Sequence, residues 1–192
     1  NTILLFPLLF PVIAGIIIGF QKQEKQRNLL VFATLVIELA AVLYLSMGEY
    51  TFPLWQMTDR LALAYHTDGL AKLFACMICI IWLLAGVYAF EYMKHEQKPA
   101  RFFMFYTMSL GALMSLCFSA NMMTLYLSYE YMTILTLPLV IHTGTPEAVR
   151  AGMKYLGYSV FGAGLGLMGF FFLNSYCDTT TFMPGGTLNL EL

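Results

Sequence analysis

The chain has 192 residues, of which 59% are hydrophobic and 11% charged, and its formal net charge is −1. A soluble domain carries about 25% charged residues, so this composition excludes an ordinary soluble protein and points to a polytopic helical membrane protein. No basic stripe runs along the chain, which argues against nucleic-acid binding and leaves the lipid bilayer as the first partner.

Polar punctuation divides the sequence into six apolar spans, about 2–20, 29–47, 70–90, 102–120, 121–141 and 146–174, which predict an all-α transmembrane bundle. The first span contains Pro7 and Pro11, expected to kink it or to set its start. It is too long for a signal h-region and has no small-residue cleavage site after it, so it reads as a retained helix. Asn1 in place of an initiator Met suggests that sequence precedes it. The stretch 48–69, with Pro53, Trp55, Asp59, Arg60 and Asp68, reads as a long polar connection. For the sixth helix the start is explicit. Thr145 suits the N-cap, Pro146 the first helical position, and Glu147 the positive end of the dipole. Residues 175–192 form a polar tail or the start of a continuation.

Basic residues follow spans one, three and five: Lys22, Lys25, Arg27, Lys94, Lys98, Arg101 and Arg150. By the positive-inside rule these loops face the cytoplasm and both chain ends face outward.

Three charges fall deep inside the apolar spans. Glu130 lies about nine residues into the fifth, roughly 14 Å deep. A charge there costs roughly 2.5–3.5 kcal/mol on insertion scales, which makes a functional role the default reading. Lys154, about 12 Å into the sixth span from the other side, is its expected partner, directly or through water. The pair reads either as a static ion pair that fixes helix packing or as a switchable proton relay. Glu38 is a carboxylate in the second span with no neutralising neighbour on its own helix. It could pair with Lys154, face a water cavity or lie protonated against a polar group. Tyr126, Ser128, Tyr129, Thr133, Thr136, Tyr155 and Tyr158 surround these charges with hydroxyls that suit a polar relay, although Ser and Thr are also ordinary packing residues in membrane helices. Asp68 and Lys72, at i and i+4, predict an ion pair at the mouth of the third helix.

Two motif matches carry no function. Gly164-Leu165-Gly166-Leu167-Met168-Gly169 reads G-x-G-x-x-G but lies inside an apolar helix with no strand before it. Gly162 and Gly166 form instead a small-xxx-small face suited to close helix contact. Cys76-Met77-Ile78-Cys79 lies within the third span, where packing is the better reading, and the four cysteines do not resemble a disulfide framework. His66, His95 and His142 fall at span ends, away from the positions that haem ligation would need, and no nucleophile–base constellation or metal cluster is visible.

Asp68-Gly69-Leu70 opening helix three, Glu130 central in helix five, and Ala151-Gly152-Met153-Lys154-Tyr155-Leu156 opening a Gly/Ser-rich helix six resemble the antiporter-like subunits of respiratory complex I, membrane-bound hydrogenases and multi-subunit Na⁺/H⁺ antiporters. The resemblance covers the N-terminal portion of that fold, from about residue 68 to 174. It implies a proton-translocating module in which Glu130 is the channel glutamate and Lys154 the lysine that modulates it. It implies a subunit of an NADH dehydrogenase-like or hydrogenase-like translocase, with no catalytic chemistry or cofactor on this chain. Flavin and iron–sulfur clusters would lie on peripheral redox subunits, beside other membrane subunits, and the moved ions would be H⁺ and, in some members, Na⁺. A bacterial or archaeal plasma membrane suits it better than the mitochondrial inner membrane. The rival readings are a stand-alone secondary cation/proton antiporter and a structural membrane scaffold whose charges only hold helices together.

Overall fold

The structure is a computed structural model that describes residues 1–56, 62–177 and 181–182. A 3-10 turn, Thr2–Leu5, leads into α1 (Phe6–Phe20), followed by α2 (Glu24–Ser46), strands β1 (Thr51–Gln56) and β2 (Ala62–His66), then α3 (Gly69–Tyr92), α4 (Pro99–Cys117), α5 (Met122–Val140) and α6 (Pro146–Tyr176). Of the expected tail, only 175–177 and 181–182 lie within the described residues.

Three of the helix starts have a side-chain cap. Asp68, Asn121 and Thr145 cap α3, α5 and α6, their side-chain oxygens accepting the N–H of Ala71, Thr124 and Ala148 at 2.6, 2.8 and 3.2 Å. A cap satisfies one of the N–H groups that the first turn leaves without a partner. Pro146 occupies the first turn of α6 and Glu147 follows it, as the sequence suggests. Pro11 lies within a continuous α1, near a helix start that Pro7 also occupies.

The bundle is built outward from α4. Gly15 on α1 and Gly111 on α4 bring the two backbones together: a Cβ at Gly15 would lie 2.8 Å from the Met104 carbonyl oxygen, and one at Gly111 2.7 Å from that of Leu8. Small residues that allow such approach replace the hydrophobic drive that membrane helices lack. Leu4, Leu8, Val31, Leu35, Phe103 and Met114 close the core around this contact. On the far side, α6 packs along α5 and buries little else, with Gly152, Ala163 and Phe170 as its buried residues.

The stretch expected to be a polar connection contains an antiparallel hairpin. β1 pairs with β2 from Thr51 opposite His66 to Gln56 opposite Ala62, with an irregularity between Pro53 and Trp55. Asp59 and Arg60 lie outside the described residues. The hairpin is pinned to the α4–α5 corner. His66 N–H donates to the Phe118 carbonyl at 2.7 Å and Ala120 N–H to that of Ala64 at 2.9 Å. Thr124 Oγ1 accepts from Ala64 N–H, and Asn121 Nδ2 donates to the Ala62 carbonyl. These long-range bonds have no local signature in sequence.

Among the described residues, five helical segments are long and apolar enough to cross a membrane: Thr2–Phe20, Glu24–Ser46, Gly69–Tyr92, Pro99–Cys117 and Pro146–Tyr176. α5 is the exception. Its 19 residues, about 28 Å at 1.5 Å each, suffice in length. Tyr126, Ser128, Tyr129, Glu130, Tyr131, Thr133 and Thr136 are spread along its middle, so it has no 18-residue stretch as apolar as those of the other five.

Candidate functional site

α5 is a hydrophobic helix with polar groups on several faces, and each face meets a different environment. Ser128 turns toward α4, where its hydroxyl lies 2.8 Å from that of Ser115, which in turn lies 3.0 Å from the Tyr65 hydroxyl of β2. Ser119 Oγ donates to the Ser115 carbonyl at 2.8 Å and stands 3.5 Å from the Ser128 oxygen. The Tyr65, Ser115 and Ser128 oxygens are thereby engaged with one another. Thr133 and Thr136 donate back to the carbonyls of Tyr129 and Met132, at 3.0 and 2.9 Å, the usual way a membrane helix satisfies a threonine.

Glu130 is half-buried, and the Tyr126 phenol one turn earlier interacts with its carboxylate. Tyr126 and Tyr129 also line a largely apolar cavity of about 480 Å³ between α4, α5 and α6, together with Leu116, Leu125, Gly162 and Gly166. Gly162 and Gly166 do not mediate close helix contact within this chain, since a Cβ built at either finds nothing within 4 Å. The tight α5–α6 contact is made at Gly152 instead, whose added Cβ would collide with Ile141 Cγ2. Tyr158 is exposed on α6.

Glu130 and Lys154 do not form the expected direct ion pair. Among the described residues the one ion pair is Lys94–Glu91, at 2.6 Å, at the exposed end of α3. The reason is rotational. Gly152 and Tyr155 face α5, the latter with its hydroxyl 2.8 Å from Thr136 Oγ1. Lys154, two residues after Gly152, stands about 200° round the helix and is exposed. Glu91 holds the Lys94 ammonium above its ordinary pKa through their hydrogen bond, but a surface pair of this kind contributes little to stability.

Asp68 and Lys72 are a second correction. Asp68 spends Oδ1 on the Ala71 N–H as the N-cap of α3 and forms no ion pair with Lys72. A carboxylate at Ncap is already stabilised by the helix it starts, so the lysine one turn on is not required. Arg27, counted among the loop charges, belongs to α2 and is buried with its guanidinium 5.6 Å from the centre of the Phe103 ring. Glu38 is fully buried and likewise makes no pair with Lys154.

Cys76, Cys79 and Cys117 carry free thiols, Cys79 buried in α3. His66 Nδ1 lies 2.9 Å from Thr51 Oγ1, and His142 Nε2 lies 2.9 Å from the Gln97 carbonyl, which its N–H can reach as a donor. Among the described residues no three His, Cys, Asp or Glu side chains gather. The buried hydroxyl chain Tyr65–Ser115–Ser128 has no sequence signal, because its members come from three elements with no common spacing.

Comparison with known proteins gives this geometry a context. The family model described as NADH-ubiquinone oxidoreductase (complex I), chain 5 N-terminus, matches residues 55–103, which includes the Asp68-capped start of α3. The chain is 25% identical over 191 residues to a Na(+)/H(+) antiporter subunit of Alkalihalophilus pseudofirmus, covering 93% of this chain and 38% of that protein. It is 24% identical over 186 residues to the chloroplastic NAD(P)H-quinone oxidoreductase subunit 5 of Ipomoea purpurea, covering 87% of this chain and 26% of that one. In fold it is similar to a chain of the membrane-bound sulfane sulfur reductase, an archaeal respiratory membrane complex. That match has a TM-score of 0.78 and 14% identity, and covers 94% of this chain and 39% of that one. The chain therefore spans well under half the length of the proteins it matches. With its apolar helices it is an integral membrane protein, and it resembles the antiporter-like membrane subunits, with residues 55–103 matching the N-terminal model of that family.

Proposed function

We propose that this chain is the N-terminal part of a proton-translocating subunit in a redox-driven, multi-subunit membrane complex, with Glu130 as the group that takes up and releases the proton. One observation carries the reading: a half-buried carboxylate in an apolar bundle, beside a phenol and with no cation within 4 Å among the described residues. A carboxylate in such a place responds strongly to any charge brought near. An approaching ammonium favours the anion, and its withdrawal favours the acid. Each unit of that preference is about 1.4 kcal/mol. Lys154, one helix away and turned outward, is the cation whose approach would switch Glu130.

Electron-transfer chemistry on flavin or iron–sulfur clusters belongs, in this proposal, to partner subunits, and their energy reaches Glu130 as a shift of α6 relative to α5. The loops carrying Lys22, Lys25, Lys94, Lys98, Arg101 and Arg150 face the cytoplasm of a bacterial or archaeal cell. The test is proton pumping by the intact complex in vesicles. Glu130→Gln is expected to abolish it and Lys154→Ala to slow it. Wild-type pumping by both variants, in complexes of normal stability, would end the proposal.

The likeness to a protein named as a Na(+)/H(+) antiporter component supports a second reading, in which the assembly exchanges Na⁺ for H⁺ without redox partners. Mass spectrometry of co-purifying subunits separates the two. Iron- or flavin-binding partners favour the first, and their absence from an active assembly favours the second.

A further inference from the structure

α2 turns a continuous stripe toward the core, which includes Val31, Thr34, Leu35, Glu38, Val42 and Leu45. Glu38 is 0% exposed, and neither carboxylate oxygen has a hydrogen-bond partner. The layer around it can be reconstructed from contacts. A Cβ at Gly86 of α3 would lie 2.7 Å from Leu35 Cδ1 and 3.5 Å from Tyr106 Cε1, so α2, α3 and α4 meet at that level. Arg27 over the Phe103 ring pairs the N-terminal end of α2 with that of α4, so the two helices run the same way. Glu38 and Thr107 then both lie within about one helical turn of the Leu35–Gly86–Tyr106 layer, on the same side of it. Thr107 is also 0% exposed with an unpartnered hydroxyl.

No cation faces Glu38 from the packed elements. α1 has no titratable side chain, and the charges of α3 and α4, Lys72, Glu91 and Arg101, stand at helix ends. On α3 the buried Cys79 thiol is close enough to interact with Glu38, and on α4 the Tyr106 hydroxyl is committed to the Trp82 carbonyl. Arg27, on Glu38's own helix, is eleven residues away, about 16 Å along the axis. A carboxylate with neither counter-charge nor hydrogen bond in such a core is far costlier than the neutral acid. The acid form leaves no unpaired charge in that core.

We propose that Glu38 is a second proton-binding site of this chain, separate from Glu130, where a neutral carboxylic acid is stored in the core between α2, α3 and α4 and exchanges its proton only when α2 parts from the other two. The inference does not depend on Glu130 carrying protons. Infrared spectroscopy of the whole protein in lipid bilayers at neutral pH tests it. The difference between wild type and Glu38→Gln is expected to show loss of a protonated-carboxyl band that exchanges slowly in D₂O. Loss of an ionised-carboxylate band instead would overturn it. Should Glu38→Gln fail to fold, Glu38→Asp decides: a displaced protonated-carboxyl band supports the site, and an unmoved one refutes it.

Discussion

The Tyr155 hydroxyl on α6 lies 2.8 Å from the Thr136 hydroxyl on α5, and this bond, with Gly152 against Ile141, sets the rotation of α6. With those two residues facing α5, Lys154 is directed away from the helix that carries Glu130. The acid and base that the sequence places at overlapping depths are thus kept apart by packing a few residues away.

Removing the bond itself should loosen this lock. Thr136→Val and Tyr155→Phe are each expected to cost about 0.5–1.5 kcal/mol, with a coupling of about 0.6 kcal/mol in a double-mutant cycle. Unfolding in mild detergent measures it, and additive effects would show that the hydroxyls do not interact.

If Glu130 and Lys154 are apart in the resting protein, their substitutions should not couple. Glu130→Gln and Lys154→Met are expected to change stability additively within about 0.5 kcal/mol. A coupling well above that value would place the two side chains in contact.

Gly152 and Gly162 should respond oppositely to the same change. Gly152→Ala forces its Cβ against Ile141 and is expected to destabilise by about 1–3 kcal/mol. Gly162→Ala meets open space in this chain and should be tolerated. Thermal melting of both variants checks the contrast.

Trp82 and Tyr106 stack with ring centres 5.5 Å apart and exchange bonds, Trp82 Nε1–H to the Tyr106 carbonyl at 3.1 Å and Tyr106 O–H to the Trp82 carbonyl. Tyr106→Phe leaves the Trp82 carbonyl without that donor, at an expected cost of about 1–3 kcal/mol. Trp82 fluorescence, read in a Trp55→Phe background, should shift with it, and an unaltered spectrum would count against the reciprocal pair.

The α4–α5 corner makes a distinct prediction. Asn121 both caps α5 and holds Ala62 of the hairpin, so Asn121→Ala should lose more than a cap alone, about 1–2 kcal/mol. Asn121→Asp keeps the cap but loses the Nδ2 donor. It should recover part of the loss, and full recovery would show that the hairpin bond contributes nothing.

Much of the architecture is legible locally. Long apolar runs, broken by 21–28 and 91–101, mark the helices because burial in lipid demands that composition residue by residue. Thr145-Pro146-Glu147 marks a helix start because capping involves only the first turn. The boundaries shift where polar residues extend a helix beyond its apolar part, as Glu24 to Asn28 do for α2. The hairpin is not legible, because 51–66 is held by Phe118, Ala120, Asn121 and Thr124, more than fifty residues on.

The candidate site divides along the same line. By itself the sequence determined that the chain is a membrane bundle, that Glu38 and Glu130 lie inside apolar runs, and which resemblance they carry, since hydropathy and spacing are properties of neighbours in the chain. Tertiary structure alone decided that Asp68 caps α3 instead of pairing, that Lys154 turns outward, and that Glu38 is sealed among three helices. Which way a side chain faces is set by the contacts of residues one or two positions away with other helices, and those contacts exist only once the helices have packed.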